Sequence, residues 1–432
     1  MTEVKDTAVH NLDPTFGPDK NGLTWFKYPD QENGFANAVA VAADGKLLIA
    51  ASPGNKFAIV RLKPDGTQDT SFARDGVASG VFAPGYKSTG GSISILKNGN
   101  LLLQGAFYLH EYAQPQRCLA MFRNDGTPET AFGVNGVVFV DPIPVPALTS
   151  SEIELGQKRT TASDYSGHAI ELDDGKLMVL SNHRYSPNDQ CGLLIRLQSN
   201  GALDTAFGQG KGYVVIRYLA NFTWAGSLIR LQDGKFAIAG YVSRENRYRA
   251  MIALFDATGK PVSSFGDNGF ALFDRLDKLS QINQLVEMPG GNILGIGSAT
   301  SKDFVHQGVL VCVDRNGKYA IDFNEGRPVL TSYPKALFGI QWTAGTLRDG
   351  HIVVLSSTHG EQDSEIVIAQ FKSDGYPDSD FADDGVLVIN LTGVLDMAGG
   401  LAIQDNQIVV AGTSLPRTDG VGSFAFRCAD TF

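Results

Sequence analysis

Residues 12–28 read LDPTFGPDKNGLTWFKY, a tight knuckle followed by a strand, with no strand before them to pair with. The chain ends at 423–432 on SFAFRCADTF, a strand with nothing after it. Each supplies what the other lacks. If Leu23–Tyr28 pairs with the last strand, two bare sheet edges disappear together, and an open edge is a liability that folds avoid. The first and last segments are therefore expected to meet.

The segments between them repeat. An apolar run, a polar-Gly turn and a second apolar run recur as AVAVAADGKLLIAAS (38–52), SISILKNGNLLLQGA (92–106), AIELDDGKLMVLSN (169–182) and SLIRLQDGKFAIAG (227–240). They continue as QLVEMPGGNILGIGS (284–298), GTLRDGHIVVLSS (345–357) and GLAIQDNQIVVAG (400–412). The turns centre on Gly45, Gly99, Gly175, Gly234, Gly291, Gly350 and Asn406. Asn is the usual substitute for Gly where φ must be positive. A second unit follows each of the first six copies, as in FAIVRLKPDGTQDTSFARDGVASGVF (57–82) and CLAMFRNDGTPETAFGVNGVVFV (118–140). Its knuckle phenylalanines are Phe72, Phe132, Phe207, Phe265, Phe323 and Phe381, and an acid three residues earlier (Asp69, Glu129, Asp204, Asp378) is placed to cap one turn. The fourth and fifth copies have Val262 and Ala320 there, so the cap is not required.

Four short antiparallel strands per unit, a–b–c–d, without helical periodicity between units, define a propeller blade. The reading is all-β: a seven-bladed β-propeller closed by the N-terminal strand. Residues 1–11 form a tail and 12–432 one propeller, with 12–30 the outer strand of the last blade. The blades occupy 36–82, 91–140, 167–218, 226–274, 283–333, 342–391 and 398–432. Turn spacings run from 54 to 59 residues except one of 76, which marks an insertion loop at 141–166.

These residues resemble the delta-60 repeat, a bacterial β-propeller family with the signature L-D-x-x-F-G followed by a Gly-led strand. The resemblance extends over Leu12–Phe432 and implies a fold without implying an activity.

Composition excludes several classes. The net charge of −10, with no block of Lys or Arg, argues against nucleic acid. No run reaches the roughly 20 apolar residues of a membrane span, and the start of the chain has no apolar signal core. The cytoplasm is the default location, with leaderless export left open, and a monomer is expected. Cys118, Cys191, Cys312 and Cys428 form no C-x-x-C pair, so free buried thiols are expected. No metalloprotease, nucleophile-elbow or P-loop motif occurs, and no cofactor or metal is called. Glu171, Arg230 and Glu287 fall in strands a, where channel water would solvate them.

In such a meander the ab and cd turns share one end, and the bc loops and inter-blade links share the other. The second end varies in length and chemistry, and rigid scaffolds usually carry function there. The candidate ligand residues on this end are His110, Tyr112, His183, Arg184, Tyr185, Trp224, Arg247, His306, Trp342 and His359. His183, Arg184 and Tyr185 are consecutive and are expected to act together, with Trp224 and Arg247 completing the pocket. The function expected first is a non-enzymatic scaffold gripping a glycan or protein; the alternative is a propeller hydrolase or lyase with its residues at the channel mouth.

Overall fold

Alternating apolar residues and positive-φ turns fold locally into hairpins, and in the computed structural model these hairpins account for nearly all regular structure. The structure describes residues 11–29, 33–108, 115–141, 143, 168–186, 189–244, 247–273, 276, 279–333, 335–358, 364–415 and 421–429. Among them there is no α-helix, and no helix long and apolar enough to cross a membrane.

Strand β1 (Leu23–Phe26) stands alone at the start. The first sheet holds β2 (Gly34–Val41), β3 (Leu47–Pro53), β4 (Phe57–Leu62) and β5 (Val77–Gly80). The second holds β6 (Lys87–Ile95), β7 (Leu101–Tyr108), β8 (Gln116–Phe122) and β9 (Val137–Phe139). The third holds β10 (Ala169–Glu171), β11 (Leu177–Ser186), β12 (Asp189–Leu197) and β13 (Tyr213–Ile216). An eight-stranded sheet follows, built from β14 (Phe222–Arg230), β15 (Phe236–Arg244), β16 (Arg247–Phe255) and β17 (Phe270–Leu272) with β18 (Leu279–Glu287), β19 (Ile293–Thr300), β20 (His306–Val313) and β21 (Val329–Thr331). Its two halves join at a parallel bridge, Tyr248 to Leu279. The next sheet holds β22 (Ala344–Arg348), β23 (His351–Ser357), β24 (Ile366–Phe371) and β25 (Val386–Ile389). In the last, β26 (Leu395–Gln404), β27 (Gln407–Leu415) and β28 (Gly422–Arg427) take β1 as their fourth strand.

That final pairing is antiparallel, from Leu23 opposite Phe426 to Phe26 opposite Ser423. It is reinforced by buried side chains. Arg427 Nε donates to Asp13 Oδ2 (2.8 Å), its Nη1 donates to Gln404 Oε1 (2.8 Å), and its guanidinium lies over the Phe16 ring. The turn chemistry also holds: Asp405 and Asn406 have φ of 48° and 68°, the two positive values a two-residue type I′ hairpin requires.

Strands b and c are buried along nearly their whole length, as in Leu47–Pro53 and Phe57–Leu62, because both sheet faces are covered by neighbours. Most hydrophobic clusters draw on two adjacent sheets, and one joins the two halves of the eight-stranded sheet. Another joins Leu47, Ile49 and Val60 of the first sheet to Val409, Ala411 and Ala425 of the last, with Phe16, Phe26 and Tyr28 between them.

The sheets are also stapled by hydrogen bonds. Bulges in five strands a (between 36 and 38, 90 and 92, 225 and 227, 282 and 284, 398 and 400) free backbone groups from their own ladders. Neighbouring sheets use them: Thr413 Oγ1 accepts from Ala36 N–H (2.9 Å), Ser52 Oγ from Gly90 N–H (3.1 Å), and Asn182 binds both N–H and C=O of Ala225 (2.9 and 2.7 Å). At the turn end, the knuckle ring of one sheet packs on a glycine of the next sheet's cd turn. A Cβ on Gly66 would lie 2.6 Å from Phe16, and one on Gly126 2.8 Å from Phe72.

One staple titrates. His168 leads into β10, and its Nδ1 accepts the Leu228 N–H (3.0 Å) across the sheet boundary. Burial lowers its pKa from 6.5 to about 4. The unfolded chain therefore protonates first as pH falls, so this stability is present above pH 6.5 and is lost on descent toward pH 4. The expected loss is on the order of 3 kcal/mol. His168→Asn keeps an acceptor without titrating, so urea unfolding of this variant should fall less steeply between pH 6.5 and 4 than that of the parent. Parallel curves would contradict the assignment.

The four cysteines are buried and unbridged, and burial pushes the Cys312 and Cys428 thiols up to about 12. A thiol reagent without reductant should find four groups in denaturant and almost none in the native protein near pH 8; fewer than four in denaturant would mean a bridge forms.

Candidate functional site

The third sheet carries a polar cluster at its loop-rich end. Asp141 follows β9, and its Oδ1 accepts the Ile143 N–H (3.0 Å), which fixes the carboxyl group in a local turn. Its Oδ2 lies 2.8 Å from His183 Nδ1 in β11. A carboxylate only accepts, so Nδ1 carries the hydrogen of this bond. His183 is 1% exposed, and its Nε2 has no hydrogen-bond partner among the described residues.

A β-bulge between Arg184 and Ser186 makes Tyr185 the extra residue, which re-aims its ring over the histidine. The two rings meet edge to face at 4.5 Å, and Tyr185 remains 38% exposed. Cys191 stands directly opposite His183 in the ladder. Tyr185 and Arg217 both reach its sulfur by hydrogen bonds, and burial raises the Cys191 thiol and the Tyr185 phenol above their usual values. Arg217 pairs with Asp189 at 2.6 Å and lies 5.8 Å from the Tyr185 ring centre. Burial opposes its charge, but the bonds to Asp189 and Cys191 outweigh that and hold the guanidinium above its ordinary value. The surface thus offers a phenol and a cation, with an imidazole nitrogen beneath them.

The expected three-residue cluster divides. Asn182 binds Ala225 of the next sheet, and Arg184 follows on that same side of β11, away from His183 and Tyr185. The pocket expected from His183 to Arg247 and Trp224 is also corrected. Trp224 pairs opposite Tyr241 on the face whose Ala237 and Ala239 pack with Ile282 and Leu285, so its ring turns toward the β18–β21 half of the eight-stranded sheet. Arg247 is exposed at the start of β16. His306 is half-buried and bonds Thr300 Oγ1 (2.9 Å).

Trp342 is a further correction. It is fully buried, and Gly308 makes room for it, since a Cβ there would lie 2.1 Å from the indole Nε1. His110, Tyr112 and His359 lie outside the described residues, as does most of 141–166. Asp141, Asp189, Cys191 and Arg217 were missed as site residues; Asp189 and Cys191 stand in the bc loop that drew attention to His183, but nothing local links them to Arg217.

The strand-a charges are not left to channel water. Glu171 accepts the Lys97 N–H (2.6 Å), and Glu287 accepts the Gln232 N–H (2.9 Å) and pairs with Arg315 (2.6 Å). Arg230 pairs with Asp173 (2.7 Å). Glu171 and Arg230 thereby staple neighbouring sheets, and Glu287 staples the two halves of the eight-stranded sheet. The turn end holds a cleft of about 420 Å³ between the second and third sheets, lined by Leu96, Met121, Glu129, Phe132 and Glu171. Among the described residues, no group of three or more His, Cys, Asp or Glu is placed to hold a metal ion.

A family model described as a domain of unknown function (DUF5122) beta-propeller matches residues 42–72, the span from the first ab turn to the Phe72 knuckle. A search of curated proteins found no match to the chain. Among solved structures, a PL25 polysaccharide lyase, an ulvan lyase bound to -[GlcA(1-4)Rha3S]-, aligns at TM-score 0.51 and 11% identity over 93% of this chain and 94% of its own. A second PL25 ulvan lyase structure aligns at 0.52 and 12% identity, over 93% and 94%. The propeller domain of the Trilobed protease from Pyrococcus furiosus aligns at 0.43 and 11% identity, over 90% and 93%. The family match, with the repeated four-stranded antiparallel sheets, establishes a β-propeller fold.

The expectation of a non-enzymatic scaffold is corrected here. The fold at TM-scores above one half is one on which lyases are built. The physical reason is that a fold does not fix an activity, so the loop-rich end of a propeller can carry chemistry as readily as passive binding.

Proposed function

We infer that this protein is a lyase acting on an acidic polysaccharide at the Asp141–His183–Tyr185–Arg217 cluster. The observation that carries the reading is the buried Nε2 of His183, unpartnered among the described residues. Leaving such an atom unsatisfied costs about 1–3 kcal/mol, and a fold tolerates that cost where the nitrogen has a task. In a uronate chain the C5 proton is acidified by the adjacent carboxylate, and a cation at that carboxylate stabilises the carbanion. Arg217 takes the carboxylate; once the Tyr185 ring swings aside to uncover it, His183 Nε2 takes the C5 proton, and the electron pair forms the C4=C5 double bond as the glycosidic oxygen leaves C4. Tyr185, kept protonated by its raised pKa, supplies the proton to that oxygen. Asp141 holds the imidazole in the required tautomer.

The scaffold we propose beneath it is a closed, seven-bladed propeller of the delta-60 kind over residues 12–432, its 141–166 insertion beginning at Asp141, which positions His183. Closure is supported by β1 pairing with β28 and by the core shared between first and last sheets.

The test is incubation with polymers that contain glucuronate, including one of glucuronate and sulfated rhamnose, reading ultraviolet absorbance of the unsaturated product and new reducing ends. Both rise for a lyase. Reducing ends alone would mean a hydrolase, and neither signal on any uronate polymer would end the reading.

A further inference from the structure

At the loop-rich end, the eight-stranded sheet carries a row that the lyase cluster does not use. Its backbone pairing runs unbroken from Phe222 to Ser243, Tyr248, Leu279, Thr300 and His306, and a bridge continues it to Gly339. Six interstrand steps at roughly 4.8 Å each give a contour on the order of 30 Å. Rings line the row. Phe222 and Trp224 flank Tyr241 at 6.3 and 6.4 Å with interplanar angles of 16° and 14°, and Tyr248 follows at 4.8 Å. Tyr248 is exposed; Arg247, exposed at the preceding position, starts from the opposite face of β16 and reaches the row around the strand's end.

Farther along, Phe304 is 73% exposed at φ 61°, in a turn closed by Ser301 N–H to Val305 O (2.9 Å). A benzyl side chain is a poor choice for the left-handed region, where Gly or Asn fits without strain. Its backbone strain and its wetted ring both oppose the sequence in the free protein, and a ligand covering the ring offsets the second. The exposed Phe338, whose carbonyl accepts the His306 N–H (2.9 Å), extends the apolar surface.

We propose that this row is a second, non-catalytic binding track for an acidic polysaccharide chain, with sugar faces laid on Tyr248 and Phe304 and acid groups met by Arg247. Flat aromatic faces bordered by a cation fit a polymer that is apolar on its ring faces and anionic at its edges. The inference rests on the substrate class proposed above, but its residues differ: the row lies on the eight-stranded sheet, whereas Tyr185 lies in β11 of the third sheet.

Native gels cast with the glucuronate and sulfated-rhamnose polymer, or with a neutral dextran, test it. The protein should be retarded by the acidic polymer and not by dextran. Tyr248→Ala with Phe304→Gly should weaken retardation at least tenfold and leave turnover of a short uronate oligosaccharide within twofold. The melting temperature of Phe304→Gly alone should hold or rise, since glycine takes φ 61° freely. Equal retardation of variant and parent, equal retardation by dextran, or no retardation of the parent would each overturn the track. Retardation lost in the variant while the parent shows no elimination on any uronate polymer would sink the lyase reading and leave the track standing.

Discussion

Without residues 1–30 the protein is expected to be insoluble or to melt far below the parent. The deletion takes away β1 and its knuckle, baring the edge of β28 and uncovering the core beneath. Leu12, Phe16, Leu23, Phe26 and Tyr28 are all buried. Each large side chain contributes about 1.5–3 kcal/mol on burial. Their sum rivals the 5–15 kcal/mol or so of net stability of a whole domain. Polar losses add to this, because Arg427 would keep its charge in the interior after losing Asp13 and Thr15. Arg427→Ala is the milder form of the same experiment and should lower the melting temperature without abolishing folding. A truncated protein melting within a few degrees of the parent would show that the ring does not depend on its N-terminal strand.

The second large effect is catalytic. His183→Asn keeps a side-chain N–H for Asp141 but has no basic nitrogen at the Nε2 position. It is expected to lower kcat on a uronate polymer by about 10²–10⁴ while the melting temperature moves little, since the lost atom was unpaired among the described residues. Tyr185→Phe should lower kcat comparably, whereas Arg217→Lys should act on KM as well, because a point charge replaces a planar fork. If His183→Asn turned over substrate like the parent, the imidazole would be a core residue and no base.

The local chemistry of the fold was legible because it lies in short repeats. Gly45 through Asn406 announce hairpins one after another, and LDPTFG at 12–17 announces a knuckle detached from its sheet; both are decided within a few residues by φ preferences and alternation. The sequence also drew attention to the loop-rich end and to His183 and Tyr185, on which the proposed site rests, since loop residues of mixed chemistry stand out against repetitive turns.

What the sequence by itself determined is therefore the class of element, its order along the chain and the pairing of first strand with last. Side-chain direction and long-range partnership were decided only in three dimensions. A bulge at Tyr185 swung that ring over His183 while Arg184 faced the other way. Gly308 opened the space that draws Trp342 into the core, although its position beside a loop had suggested a surface. Asp141 and Arg217 reach the third sheet's cluster from 42 residues before His183 and 26 residues after Cys191, separations read from their numbering. No local pattern encodes such meetings: they depend on how the second and third sheets pack and on which strand overhangs its neighbour, quantities set by the sum of all contacts and carried by no single stretch of chain.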